Sequence, residues 1–206
     1  MFKINETIEF NSKENSYYTY GMIKPDGMEN KEEIVKMILS SGLKIRYYKC
    51  DMLTDELIDE NYSHVKEKYP EDFKFLKKSL KSGPVLMMLI YDPEGNAIKK
   101  YRDILGCTNS WEASPNTIRG KFGDREKVYK NAAHGSGNLK EAQEETIRFF
   151  GSELFNVFGG LVWLSDYEKG LTYTGCSLDK ASNYTDKQIY DLIIKECNDY
   201  VKKMGL

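Results

Sequence analysis

Histidine is scarce in this chain: two residues, His64 and His134, in 206. Cysteine is nearly as sparse, and Cys50, Cys107, Cys176 and Cys197 stand far apart with no CxxC pair among them. Free thiols in a reducing cytoplasm are the simpler reading of that spacing. No apolar run approaches the ~18 residues of a membrane span. The opening "MFKINETIEFNSKENS" is polar and lacks the apolar stretch of a signal peptide, so a cytoplasmic protein without membrane attachment is expected. Neither sign of charge dominates: Lys+Arg 30 against Asp+Glu 32 gives a formal net charge of −2. A general attraction to nucleic acid is therefore not indicated, and no specific nucleic-acid partner is expected. Internal repeats and low-complexity tracts are absent. So are a Walker-type GxxxxGK[ST] and a GxGxxG after a strand. Any nucleotide site here would be built from side chains rather than a glycine-rich backbone cradle.

What is present is an ordinary globular composition, 40% hydrophobic and 30% charged. The length suits one domain of about 130–160 residues with an appendage, or two small domains. After a polar lead over 1–16, "YYTYGMI" (17–23) reads as a strand ending in the turn "KPDG". A helix follows, with Asn30 as N-cap and Glu33 three residues on, closing at Gly42. "LKIRYYKC" alternates as a strand. "TDELIDENYSHVKEKY" reads as one helix with Leu57, Ile58, Tyr62, Val65 and Tyr69 on a stripe. "EDFKFLKKSLK" is a second helix, aligning Phe73, Leu76 and Leu80. "VLMMLIY" (85–91) has the length of a buried strand, and "GNAIKKYRDILG" is a helix ending at Gly106. Residues 107–123 show no period, a fourth strand is possible before His134, and "NLKEAQEETIRFF" (138–150) is a helix capped by Asn138 and Glu141. The order predicts an α/β (α+β) chain with a ferredoxin-like βαββαβ antiparallel sheet and helices on one face. Residues 151–206 stand apart as a C-terminal extension. "LVWLSDYEKGLTYTG" could supply a strand or two. The final helix, with Thr185 and Gln188 as a capping box, aligns Ile189, Leu192, Ile193, Cys197, Tyr200, Val201 and Met204. So apolar a face must pack on the core or on a neighbouring subunit.

The chemistry centres on "KNAAHGSGN" (130–138), where His134 sits among Ala132, Ala133, Gly135, Ser136 and Gly137. A core histidine would have large apolar neighbours; one that something large must approach would look like this. In the next helix Leu139, Ala142, Thr146 and Phe149 form the apolar face, and Glu145 falls within it. A carboxylate there costs several kcal/mol unless a donor meets it. His134 is a natural donor, and two readings follow: a structural His–Glu hydrogen bond, or a Glu145 that orients His134 and leaves its other nitrogen free as nucleophile or base. "KPDG" (24–27) is a turn sequence in its own right, with Lys24 solvated unless other groups join it. "TNSWEASPNTIRGKFG" gathers Thr108, Arg119 and Lys121, with Arg102 one turn upstream. Guanidinium groups suit a phosphate, although surface charge explains them equally well. His64 reads as a surface residue.

Taken together and in order, "KPDG", "SGPV", "YRDILGCTNSWEASPNTIRG" and "NAAHGS", with a glutamate eleven residues past the histidine, resemble the nucleoside diphosphate kinase family. The resemblance spans 17–150. It implies a ping-pong phosphotransferase that carries a γ-phosphoryl group from a nucleoside triphosphate on the histidine to a nucleoside diphosphate. His134 would be the phosphorylated residue, Glu145 its orienting carboxylate and Ser136 the support of that glutamate. Lys24, Tyr62, Leu76, Arg102, Thr108, Arg119, Val128 and Asn131 would meet the nucleotide. Among these, Lys24 and Asn131 would reach the sugar, and Lys24 would count with the catalytic set. Mg²⁺ would arrive on the phosphates of ATP or another triphosphate, with no metal ligand from the protein. A homo-oligomer is implied as well. The chain departs from the family pattern at several points. "HGSD" is "HGSG", so Gly137 replaces an acidic residue. The base-stacking phenylalanine aligns nearest Asp72 or Phe73. Two extra residues lie between Gly120 and Asn131. Ser110 replaces a proline, and the extension is unusual. A nucleotide-binding or scaffold relative without turnover is the alternative.

Overall fold

The computed structural model describes residues 16–150 and 184–205. The polar lead up to residue 15 and the strands expected after residue 150 lie outside them. Alternating and continuous apolar segments form strands β1 (Tyr18–Ile23), β2 (Lys44–Asp51), β3 (Val85–Tyr91) and β4 (Ala133–Gly135). They make one four-stranded sheet in the order β2-β3-β1-β4, antiparallel at every pairing recorded. The ferredoxin-like order therefore holds. β2 carries a register shift between Ile45 and Tyr47.

Helices cover both faces of this sheet, not one as the sequence pattern suggested. On the first face Ile23, Leu86, Met88 and Ile90 pack against α1 (Lys31–Ser40) through Ile34, Val35 and Ile38. Two more apolar contributions come from Tyr101 and Leu105, of the helix Ala97–Leu105. On the second face Tyr20, Met22, Val85, Met87 and Leu89 meet α2 (Asp55–Asn61) and α4 (Pro70–Leu80) through Ile58, Phe73, Leu76 and Leu80, with α3 (Ser63–Lys68) between those helices. The helix Ala97–Leu105 is α5, a short α6 spans Ile118–Phe122, and α7 (Leu139–Phe150) adds Phe149 and Phe150 to the second face. β1 and β3 alternate strictly between the two cores, as the period-2 geometry of a strand demands. The continuous run "VLMMLIY" is apolar at every position because neither face of β3 meets water.

Local differences from the sequence reading have simple causes. The helix expected over 54–69 breaks at Tyr62, whose φ −111, ψ 25 ends α2, and Thr54 caps the first segment. That break turns the Tyr62 ring inward, where it is buried. Asn30 precedes α1, yet its side chain caps nothing, because a 3-10 turn over Pro25–Asn30 already leads in. Leu139 and Met204 stand exposed at helix ends rather than joining the apolar faces. The last helix, α8 (Asp186–Met204), carries the expected Thr185–Gln188 capping box. It lies on the first face, where Ile189, Ile193 and Cys197 complete the core beside α1 and β2. Among the described residues no helix is long and apolar enough to cross a membrane.

Gly21 and Gly135 are register partners on β1 and β4, and a Cβ on either would stand 2.7 Å from the Tyr101 ring. Their bare backbones let α5 seat its buried tyrosine directly under the strand that carries His134. Gly135→Ala is expected to destabilise the fold by about 1–3 kcal/mol through overpacking. A lowered urea midpoint with an unchanged m-value would register it.

Candidate functional site

The approach to His134 is set by the turn before β4. Ala132 adopts φ 64, the one non-glycine residue with a positive φ among those described. Such a conformation persists only when its surroundings hold it. The hold comes from "KPDG". Asp26 Oδ2 accepts the Ala132 N–H at 2.8 Å, and the Lys24 N–H donates to Ala132 O at 2.9 Å. Any Cβ on Gly27 would collide with that same Ala132 carbonyl. The tetrapeptide is thus a clamp on the turn that delivers the histidine, a function its turn-forming composition concealed.

His134 pairs with Met22 across β1 and β4, between Ala133 and Gly135. Its ring is therefore directed to the second face, edge-on to Tyr62 at 5.9 Å between centroids. His134 Nε2 lies 2.6 Å from Glu145 Oε1. The carboxylate also accepts from Ser136 Oγ at 2.5 Å and Asn61 Nδ2 at 3.3 Å. Burial alone would raise the Glu145 carboxyl, but His134, Ser136 and Asn61 outweigh it and hold the group below the usual glutamate range. An ionised Glu145 takes the Nε2–H, so the lone pair of the neutral ring resides on Nδ1.

Asn61 was not singled out from the sequence. Its Oδ1 accepts from Arg148 Nη1 at 2.8 Å, and Arg148 in turn meets Glu60 at 3.0 Å. Arg148 shares a helix face with Glu145, three residues on, which was the available signal. No local pattern points from Asn61 to Glu145, because only the packing of α2 against α7 joins them.

A cavity of about 510 Å³ opens beside His134. Lys24, Tyr62, Leu76, Arg102, Thr108, Arg119, Val128, Asn131 and Glu145 line it, so the dispersed candidates converge. Ser136 lies behind the carboxylate and is fully buried. His64, expected at the surface, is exposed and sits on the cavity rim. Lys121 does not join the cavity; it turns away to pair with Glu33. Arg119 is buried and donates through Nε to Ala133 O at 3.2 Å and through Nη1 to Gly106 O at 3.1 Å. Burial, with a contribution from the like charge of Arg102, pulls its pKa below the ordinary arginine value. No ion pair to a carboxylate is recorded for either arginine among the described residues. The Tyr62 hydroxyl is buried at the cavity wall beside Asn61. Lys24 Nζ reaches Asn131 Oδ1 at 2.8 Å and Tyr129 O at 3.1 Å, and burial pulls its pKa down to about 8. Two guanidiniums, an amine and a buried hydroxyl at one cavity form a site for an anion with several oxygens.

The departures are accommodated. The Gly137 N–H donates to Glu141 Oε2 at 2.7 Å, and a Cβ at 137 would stand 2.9 Å from that oxygen. Glu141, one turn into α7, therefore occupies the space of the missing acidic side chain while Asn138 Oδ1 caps its N–H at 2.9 Å. Of the two residues nearest the family's stacking position, Phe73 is buried in the second core and Asp72 faces the cavity. The longer loop is tied by Arg125, which donates to Ser110 O and Gly120 O at 3.3 and 2.9 Å. At its end Tyr129 stacks on Phe75 of α4 with centroids 5.9 Å apart.

The sequence model described as nucleoside diphosphate kinase matches residues 17–155. The nucleoside diphosphate kinase of Bdellovibrio bacteriovorus is 38% identical over 134 residues, 64% of this chain and 91% of that protein. That of Archaeoglobus fulgidus is 36% identical over 138 residues, covering 66% and 87%. Among solved structures, the apo enzyme from Encephalitozoon cuniculi superposes with a TM-score of 0.60 at 29% identity, over 66% of this chain and 89% of that one. The Halobacterium salinarum enzyme in complex with CDP gives 0.59 at 31% identity, over 66% and 88%. With a matching fold, a matching family model and a shared order of motifs, the chain belongs to the nucleoside diphosphate kinase family.

Proposed function

We propose that this protein transfers the γ-phosphoryl group of a nucleoside triphosphate to a nucleoside diphosphate by a ping-pong mechanism through phospho-His134. The observation that carries the reading is the pairing of His134 Nε2 with Glu145, which turns Nδ1 to the cavity beside two arginines that have no carboxylate partner among the described residues. Nδ1 attacks the γ-phosphorus, an N–P bond forms as the bridging P–O bond breaks, and the diphosphate leaves. The second diphosphate reverses these steps. Positive charge gathers on the imidazole during attack, and Glu145 stabilises it without changing place. Arg102 and Arg119 neutralise charge on the equatorial oxygens, Tyr62 and Thr108 donate to phosphate, and Lys24 with Asn131 receives the sugar hydroxyls.

The donor set of the cavity fits phosphate oxygens. Among the described residues no three or more His, Cys, Asp or Glu are arranged to hold a metal ion. Mg²⁺ arriving on the nucleotide would supply further charge neutralisation, and Arg102, Thr108 and Arg119 would hold the phosphates that carry it. On family likeness alone the proposal extends to a cytoplasmic homo-oligomer, with 17–150 as the catalytic body and 151–206 as its extension.

Incubation with ATP, GDP and Mg²⁺ is expected to yield GTP resolved by anion exchange, together with an acid-labile phosphoprotein. His134→Ala is expected to abolish both, whereas Glu145→Ala lowers kcat on the order of a hundredfold. Nucleotide binding without GTP would overturn the transfer reading in favour of a relative without turnover.

Lys24 supplies a pH signature. Its folded pKa of about 8 lies below the ordinary lysine value, so the folded state gives up its proton first as pH rises. The charged amine costs stability below that point and the cost is relieved above it, while the ammonium that meets the nucleotide is lost. A fall in kcat/KM above about pH 8 is expected, and Lys24→Arg should remove that alkaline limb.

Asp72 offers no stacking surface to a base lying between Leu76 and Val128. Asp72→Phe is expected to lower KM for the diphosphate roughly fivefold or more at unchanged kcat, since base–aromatic stacking is worth ~1–3 kcal/mol.

A further inference from the structure

Two of the scattered cysteines meet in the fold, away from the cavity. Cys50 lies on β2 and Cys197 on α8, and both belong to the core of the first face. Strand and helix run side by side in the same direction. Lys44 pairs with Asp186 at 2.6 Å where both begin. Near their other ends the Tyr200 hydroxyl meets Asp51 Oδ1 at 2.9 Å and accepts the Met52 N–H at 3.1 Å. Lys44 to Asp51 covers roughly 23 Å at strand rise, and Asp186 to Tyr200 roughly 21 Å at helical rise. The two elements are therefore matched in length, and this brings Cys197 level with Cys50. Cys197 lies one helical turn before Tyr200 and Cys50 one residue before Asp51, so the two thiols adjoin in the same core.

Their environments differ in a way that suits sequential chemistry. Cys197 is fully buried, whereas Cys50 is only partly buried. The neighbouring Cys197, with help from Lys31, favours the thiolate of Cys50, while the proximity of Cys50 and burial push the Cys197 thiol up. Cys107 is exposed and lies elsewhere, against Glu112.

We propose that Cys50 and Cys197 are an oxidisable pair, closed to a disulfide by hydrogen peroxide, that fastens the C-terminal helix covalently to the edge strand of the sheet. The Cys50 thiolate attacks one peroxide oxygen, the O–O bond breaks, and Cys50 becomes a sulfenic acid as hydroxide leaves and takes up the proton Cys50 released. The Cys197 sulfur then attacks the sulfenic sulfur. The S–S bond forms, the S–O bond breaks, and the departing hydroxide takes the Cys197 proton. Two thiols lose two electrons, and peroxide is reduced to two waters. The proposal is independent of the phosphotransfer reading, because the His134 ring points to the opposite face of the sheet.

The test uses the full chain carrying Cys107→Ser and Cys176→Ser, which leaves the pair untouched. Treatment of the reduced protein with equimolar peroxide is expected to remove about 2 Da from the intact mass. A non-reducing digest should contain a Cys50–Cys197 linked peptide. The oxidised protein is expected to melt roughly 5 °C or more above the reduced one, reversibly with dithiothreitol, because the closed loop spans most of the chain. Oxygen adducts on Cys50 without the linked peptide would overturn the pair. A linked peptide with no rise in melting temperature would overturn its role as a fastening for α8.

Discussion

The organisation of the protein turns on one buried carboxylate. Glu145 sits on the inward face of α7, where an unpaired charge would be prohibitive. Its partners arrive from three directions: His134 from β4, Ser136 from the turn after it, and Asn61 from the end of α2. Each donor has its own reason to be there. The histidine needs an edge strand that exposes one ring nitrogen, and Asn61 needs the helix to stop at Tyr62. The carboxylate's stabilisation is present above the usual glutamate range and is lost as pH falls through its depressed folded value. Folding and chemistry therefore share the same hydrogen bonds.

The second constraint is backbone strain. Ala132 holds a left-handed conformation one residue before β4, and the "KPDG" turn supplies both of its backbone partners. Strain of this kind aims a side chain that regular strand geometry would otherwise place differently. Lys24 then serves twice, through its backbone at the turn and through its ammonium in the cavity. That double use explains why a buried lysine is tolerated with a strongly lowered pKa.

The described part of the extension, α8, alters the outer surface, and none of its residues lines the cavity. α8 packs on the first face beside α1 and β2, and it screens Cys50 and Tyr48 of the edge strand. Its amphipathic face needed a partner, and its own chain provides one. On the opposite side Asp72 is turned to the cavity, and Tyr129 at its lip stacks on Phe75.

Much was legible in residue order. Strand and helix periods, the caps at Thr185 and Asn138, and the inward Glu145 follow from local spacing, because each depends on neighbours within a few residues. The convergence of Arg102, Thr108, Arg119 and Asn131 was readable only through the family's motif order, since no local rule joins a helix end to a distant loop. Tertiary structure alone decided the remainder. It put helices on both faces, broke the helix at Tyr62 and brought Asn61 to Glu145. It also folded Glu141 into the space left by Gly137 and set Cys197 against Cys50. These are contacts between surfaces, and their partners are chosen by packing and desolvation, which act across space and leave no fixed spacing along the chain.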